Sequence, residues 1–169
     1  MKNIVLTGFM GTGKTAVGKE LSRLLSMKLV DVDEEIERSQ NMKINDIFRE
    51  FGEKHFRNIE TDMIMKISKE KNIIISTGGG AVLREDNMDA LRQNGLIFCL
   101  TANPDTVLKR TCDSDERPLL KVENPRAKIE EMLSFRRPYY EKAGTVIDTE
   151  GKTPLEIAEE IVEIWKCRK

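Results

Sequence analysis

With 169 residues, the chain suits one α/β domain with a substantial core and is too short for two full domains. Hydrophobic residues make up 39% of it and charged residues 34%, while 28 basic and 29 acidic side chains leave a formal net charge of −1. That balance provides no overall field to recruit nucleic acid or an anionic membrane, so any recognition of anions has to be local.

The apolar runs fall far short of the roughly 18 residues that a membrane span needs. The first strand begins almost at the N-terminus, leaving no room for a signal peptide. Cys99, Cys112 and Cys167 include no C-x-x-C pair and read as buried or free thiols, not as a disulfide framework or a zinc site. A cytoplasmic location is expected.

Asn3 to Thr7 is a short, continuously apolar strand of the kind that a parallel sheet buries on both faces. It runs into GFMGTGKT at Gly8 to Thr15, which matches the phosphate-binding pattern G-x-x-x-x-G-K-[ST] at every fixed position. Gly8, Gly11 and Gly13 allow the backbone to turn through positive φ and bring its N–H groups close to an anion. The helix that begins near Lys14 adds the positive end of its dipole, with Val17, Leu21, Leu24 and Leu25 on one face. Lys14 supplies a mobile charge for the β- and γ-phosphates, and the Thr15 hydroxyl can ligate Mg²⁺. Strand, loop and helix in this order predict binding of a nucleoside triphosphate.

A second strand, Lys28 to Asp33, ends in D-x-D. At the carboxyl end of a strand these acids face the ligand crevice, one suited to a metal and the other to a hydroxyl. Asp33 with Glu34 and Glu35 could instead simply open the next helix as cap and dipole partner. Following a phosphate loop by one helix, the functional alternative is preferred.

Residues 34–69 are mostly helical, with breaks near Asn41-Met42 and at Gly52, giving an insertion of two or three helices. In the last of them Phe56, Ile59, Met63 and Ile67 form the predicted buried stripe. Arg57 and Glu60 share a different face; from spacing alone they read as a solvated helix pair, the other possibility being a clamp on a substrate carboxylate. His55, the only histidine, reads as a surface residue.

Ile73 to Thr77 is the third strand and leads into Gly78-Gly79-Gly80, either a flexible turn or a close approach of backbone to ligand. A helix over 85–93, a fourth strand over 96–101 and a helix opened by Asn103-Pro104-Asp105 follow. From Thr111 to about Arg126 the periodicity lapses and two prolines appear, which reads as a flap over the site with Arg117 able to reach transferring phosphate oxygens. Ile129 to Tyr140 is helical, with Met132, Phe135 and Tyr139 inward and Pro138 ending or kinking it. Thr145 to Asp148 is the fifth strand, and Pro154 opens a terminal helix with Leu155, Ala158, Ile161, Val162 and Trp165 on its core face.

The chain resembles the shikimate kinase family, a branch of the nucleoside-monophosphate-kinase-like P-loop proteins. The likeness runs nearly end to end, through GFMGTGKT, DVD at Asp31 to Asp33, GEKHFRNIE at Gly52 to Glu60, GGGAV at Gly78 to Val82, RPLL at Arg117 to Leu120 and RRPYY at Arg136 to Tyr140. It implies a three-layer αβα fold over 1–169 with a five-stranded parallel sheet of order 2-3-1-4-5, an acceptor-binding helical insertion over about 34–60 and a mobile lid over about 112–125. It further implies phosphorylation of the 3-hydroxyl of shikimate by ATP with Mg²⁺, by a cytoplasmic monomer that engages neither nucleic acid nor membrane.

By the same resemblance, Gly11, Thr12, Gly13, Lys14, Thr15 and Ala16 hold the nucleotide phosphates, while Arg110 and Pro154 contribute to its adenine side. Thr15 and Asp31 serve Mg²⁺. Asp33 binds the shikimate hydroxyls and accepts the proton, Arg57 and Arg136 grip the carboxylate, and Glu60 orients Arg57. Gly78, Gly79 and Gly80 complete the pocket, Phe48, Phe56 and Leu119 pack on the ring, and Arg117 reaches from the lid. Another small-molecule kinase of the group would need a different acceptor clamp. A GTP-dependent switch would need N-K-x-D, which is missing from the sequence.

Overall fold

Five short runs rich in β-branched and aliphatic residues form the strands: β1 Asn3–Gly8, β2 Lys28–Asp31, β3 Ile73–Ser76, β4 Gly95–Thr101 and β5 Thr145–Asp148. All four pairings are parallel and the order is β2-β3-β1-β4-β5, as the resemblance implied. The computed structural model describes residues 2–111 and 123–168. The expected lid, with Arg117 and Leu119, therefore lies almost wholly outside the described residues.

The central strands β1, β3 and β4 are buried on both faces, and the period-two alternation of side chains sorts the core into two halves. Ile4 and Leu6 of β1 face α1 (Lys14–Leu25) and α7 (Pro154–Cys167), where Leu21, Ile161 and Trp165 complete one apolar cluster. Val5 of β1 points the other way, into a cluster with Ile47 and Ile64 of α3 (Ile44–Ile67), Leu91 of α4 (Glu85–Asn94) and Met132 of α6 (Pro125–Ala143). The remaining helices are α2 (Val32–Gln40) and α5 (Pro104–Thr111). The parallel strands all deliver their carboxyl ends to one edge, and the connections there build the site.

Several boundaries and faces differ from expectation. The second strand stops at Asp31, and α2 begins at Val32 because the Asp31 carboxylate accepts from the backbone N–H of Asp33 and Glu34 and caps the helix. The break at Asn41 is real, with that residue left-handed at φ 49°, and so is the break at Gly52 inside α3, at φ 80° and ψ 170°. Ile59 and Met63 are only partly buried; the fully buried stripe of α3 is Phe56, Glu60, Ile64 and Ile67. Pro138 does not end α6, which runs on to Ala143; its ring stands on the exposed face, where the carbonyl it leaves unbonded can be hydrated. Met132 faces inward as expected, but Phe135 and Tyr139 are 64% and 41% exposed; Arg136 and Tyr140 turn inward instead. Leu24 and Leu155 are likewise exposed, Ile157 taking the core position in α7.

Candidate active site

After β1 the chain turns through Gly8, Gly11 and Gly13 at φ +135°, +76° and +94°, a region that side chains rarely enter. Gly13 caps α1 without a side-chain bond, so the first amides of that helix stay directed at the loop's concavity. Lys14 Nζ donates to the carbonyls of Gly8 and Phe9 at 2.8 and 2.9 Å. The Thr12 hydroxyl and backbone N–H close the loop by donating to Phe9 O at 2.7 and 3.4 Å. A cavity of about 320 Å³ lies against this loop, lined also by Thr15, Ala16, Asp31 and Arg110. Arg110 is held there by bonds to Gly11 O and Thr149 Oγ1 at 3.2 and 3.4 Å. Pro154 opens α7 and does not line this cavity.

A larger cavity of about 560 Å³ adjoins it, between α2, α3, α6 and the Gly78–Gly80 loop. Met10, Asp33, Gly78 and Gly79 line both, so the two spaces share a floor. Asp33 stands at this junction, in the first turn of α2. Its Oδ1 is buried and accepts no hydrogen bond from the described residues. Burial first, then the neighbouring carboxylates of Asp31 and Glu60, push its pKa up to about 7 against the opposing charges of Lys14 and Arg57.

Arg57 and Glu60 are not the solvated pair that their spacing suggests. Arg57 Nη1 donates to Glu60 Oε2 at 2.7 Å, with side chains only 11% and 0% exposed. Glu53 accepts from Nε and Nη2 at 3.3 and 3.1 Å. The guanidinium lies so close over Gly80 that a Cβ there would push the Arg57 fork out of its present place. The need at the triple glycine is thus close approach and not unusual φ, since none of the three has a positive φ. Glu60 Oε1 is buried without a hydrogen bond among the described residues, and desolvation raises the Glu60 pKa although Arg57, Arg84 and Arg136 oppose it.

Arg136 enters from α6, buried, with its guanidinium 5.7 Å from the Phe9 ring centre. Phe48 and Phe56 form an apolar wall, ring centres 4.8 Å apart. Tyr140 was missed by the sequence reading: its hydroxyl donates to Gly79 O at 2.7 Å, and the positive charge of Arg136 opposes the rise that burial gives its pKa. The i, i+4 relation of Arg136 and Tyr140 could have revealed this, had a buried arginine been allowed on the core face. Arg84 was missed too, since nothing in its local pattern announces a role.

The donors near the loop fit Mg²⁺. Asp31 and Thr15 offer hard oxygens to one cavity, and a magnesium ion completes its shell with water and phosphate oxygens. No cluster of three His, Cys, Asp or Glu suited to a metal occurs among the described residues, so an all-protein cage is not available there.

The arrangement is a phosphate cradle opening onto a pocket that has an acid at the shared floor, two arginines and an aromatic wall. The profile of the family described as Shikimate kinase matches residues 10–166. The shikimate kinase of Thermodesulfovibrio yellowstonii is 53% identical over 166 residues, covering 98% of this chain and 96% of that one. Among solved structures, the shikimate kinase from Acinetobacter baumannii in complex with shikimate has a TM-score of 0.96 at 36% identity, covering 100% of this chain and 95% of that one. Shikimate kinase from Aquifex aeolicus gives a TM-score of 0.85 at 34% identity, with 98% and 97% covered. Matched along nearly its whole length in both sequence and fold, this chain belongs to the shikimate kinase family.

Proposed function

We propose that the chain transfers the γ-phosphoryl group of ATP to the 3-hydroxyl of shikimate across the floor shared by the two cavities, with Asp33 as the acceptor of the hydroxyl proton. The observation that carries this reading is the position of Asp33, at the junction of the phosphate cradle and the arginine-lined pocket. Phosphoryl transfer asks little covalent chemistry of a protein; it asks for alignment and for charge placed where it develops.

Lys14 exchanges the carbonyls of Gly8 and Phe9 for the β- and γ-phosphates, and the amides of Gly11 to Ala16 cradle them. Arg57 and Arg136, approaching from α3 and α6, take the ring carboxylate. Glu60 keeps the Arg57 fork aimed, and backbone at Gly78, Gly79 and Gly80 bounds the ring with Phe48 and Phe56. This leaves the reacting hydroxyl beside Asp33, whose pKa of about 7 suits a base working near neutrality. Thr15 and Asp31 would hold Mg²⁺, which when bound neutralises charge on the phosphate oxygens. Arg117 and Leu119 of the lid, and Pro154 beside Arg110 on the adenine side, belong to the reading by family likeness alone. The enzyme acts as a cytoplasmic monomer on small molecules, without nucleic acid or membrane; no helix among the described residues is long and apolar enough to cross one.

A coupled assay of ADP release with shikimate, gluconate and nucleoside monophosphates in parallel tests the assignment. Turnover with shikimate alone is expected. Turnover of another acceptor with shikimate inert at high enzyme concentration overturns it.

A further inference from the structure

Arg84 follows the 3₁₀ turn Ala81–Leu83 and reaches across to the turn of α3 that carries Arg57. Its Nη1 donates to the backbone carbonyl of Arg57 at 3.1 Å and to Thr61 Oγ1 at 3.2 Å, and its Nη2 donates to Asn58 Oδ1 at 3.0 Å. Thr61 Oγ1 in turn donates to the same Arg57 carbonyl at 3.0 Å. Three acceptors on one helical turn therefore meet one planar fork, a match that lysine could not provide.

The place of this contact gives it significance. Arg84 stands four residues beyond Gly80, the glycine on which the Arg57 guanidinium lies. The backbone of Arg57 is thus tied to this segment by Arg84, while its guanidinium rests on the same segment at Gly80 and is held by Glu60. Both ends of one side chain are referred to the glycine loop that also floors the two cavities. Loss of the fork would free α3 to shift relative to Gly78–Gly80, and Arg57 with it.

We infer that Arg84 is a positioning residue for the acceptor, setting the distance between the Arg57 guanidinium and the glycine loop without touching either substrate. The inference rests on Arg57 gripping the acceptor carboxylate. Arg84 also carries a positive charge near Glu60, so the test has to separate geometry from charge.

Steady-state kinetics of Arg84→Met and Arg84→Lys do so. Arg84→Met is expected to raise the shikimate KM roughly tenfold, the scale of a small misplacement of a binding group, with kcat and the ATP KM within about twofold. Arg84→Lys keeps the charge but not the fork and is expected to stay close to Arg84→Met. In an Arg57→Ala background, Arg84→Met should add no further rise, because the group it positions is gone. A parental shikimate KM in Arg84→Met, or full restoration by lysine, overturns the inference. Should Arg84→Met fail to fold, Asn58→Ala combined with Thr61→Val removes two acceptors and leaves Arg84 in place; a rise of about threefold is expected, and no change overturns the inference. A parental shikimate KM in Arg57→Ala would instead remove the underlying reading, whatever Arg84 does.

Discussion

Asp33 makes the site's pH behaviour a matter of sign. Its folded pKa of about 7 stands above the ordinary aspartate value of 3.8, so well below 3.8 folded and unfolded chains are equally protonated there and the residue is neutral to stability. As the pH rises toward 7 the unfolded chain ionises and the folded one resists, and the fold is progressively penalised, by on the order of 4 kcal/mol once both are ionised. Asp33→Asn removes that penalty. Without ligands it should melt roughly 8–16 °C above the parent near pH 8, the gap closing as the pH falls to about 4, while turnover is lost; a gap that persists at the acid end would contradict the assignment. Arg57→Ala should raise the shikimate KM on the order of 10²-fold, because truncation leaves the acceptor carboxylate and Glu60 without their shared partner. A KM at the parental value would show that Arg57 does not meet the acceptor. The phosphate loop was legible residue by residue, since its chemistry is written in consecutive positions that need glycine, lysine and threonine. Arg57 was not, because spacing cannot distinguish a solvated pair from one roofed over by another segment; only Gly80 and the fully buried Glu60 make that distinction.

The bend in α3 decides whether the acceptor pocket has a wall. Phe48 and Phe56 are eight residues apart, which in a straight helix means about 12 Å of rise and nearly a quarter-turn of rotation. Their rings nevertheless meet at 4.8 Å, and the non-helical Gly52 between them makes the meeting possible. At φ 80° and ψ 170° that glycine occupies a region costing other residues about 1–3 kcal/mol, although its Cβ position is open space. Gly52→Ala should therefore lower the melting temperature by roughly 2–10 °C and raise the shikimate KM with the ATP KM unaltered, as thermal unfolding and steady-state kinetics would report. Equal changes in both KM values would mean that the bend serves stability alone. This break, like that at Asn41, was readable because glycine and asparagine announce the backbone they permit. The inward face of α6 was not readable: a hydrophobic count prefers Phe135 and Tyr139, whereas tertiary contacts turn Arg136 and Tyr140 toward the site.

At the scale of the molecule, binding and core are separated along the strands. Each strand could be recognised locally, but the order of the sheet is a set of long-range pairings, and only the family likeness supplied it. Given that order, both cavities open at the carboxyl ends of the strands, whereas Trp165, the chain's single tryptophan, packs at the opposite end and donates its indole N–H to Lys2 O at 3.0 Å. It also belongs to the cluster on the α1–α7 face of the sheet, with the acceptor cavity on the other face. An indole so placed, 2% exposed, keeps its surroundings when a ligand enters at the far edge. Tryptophan emission, excited selectively, should therefore keep its maximum through saturation with shikimate and shift only on unfolding. Binding should be visible in the melting temperature instead: at a hundred times its dissociation constant a ligand of the native state contributes about 2.7 kcal/mol, or roughly 5–10 °C for a chain of this length. Titrating one sample by both methods decides the matter, since an emission shift that tracks the thermal stabilisation would require a rearrangement carried across the whole sheet.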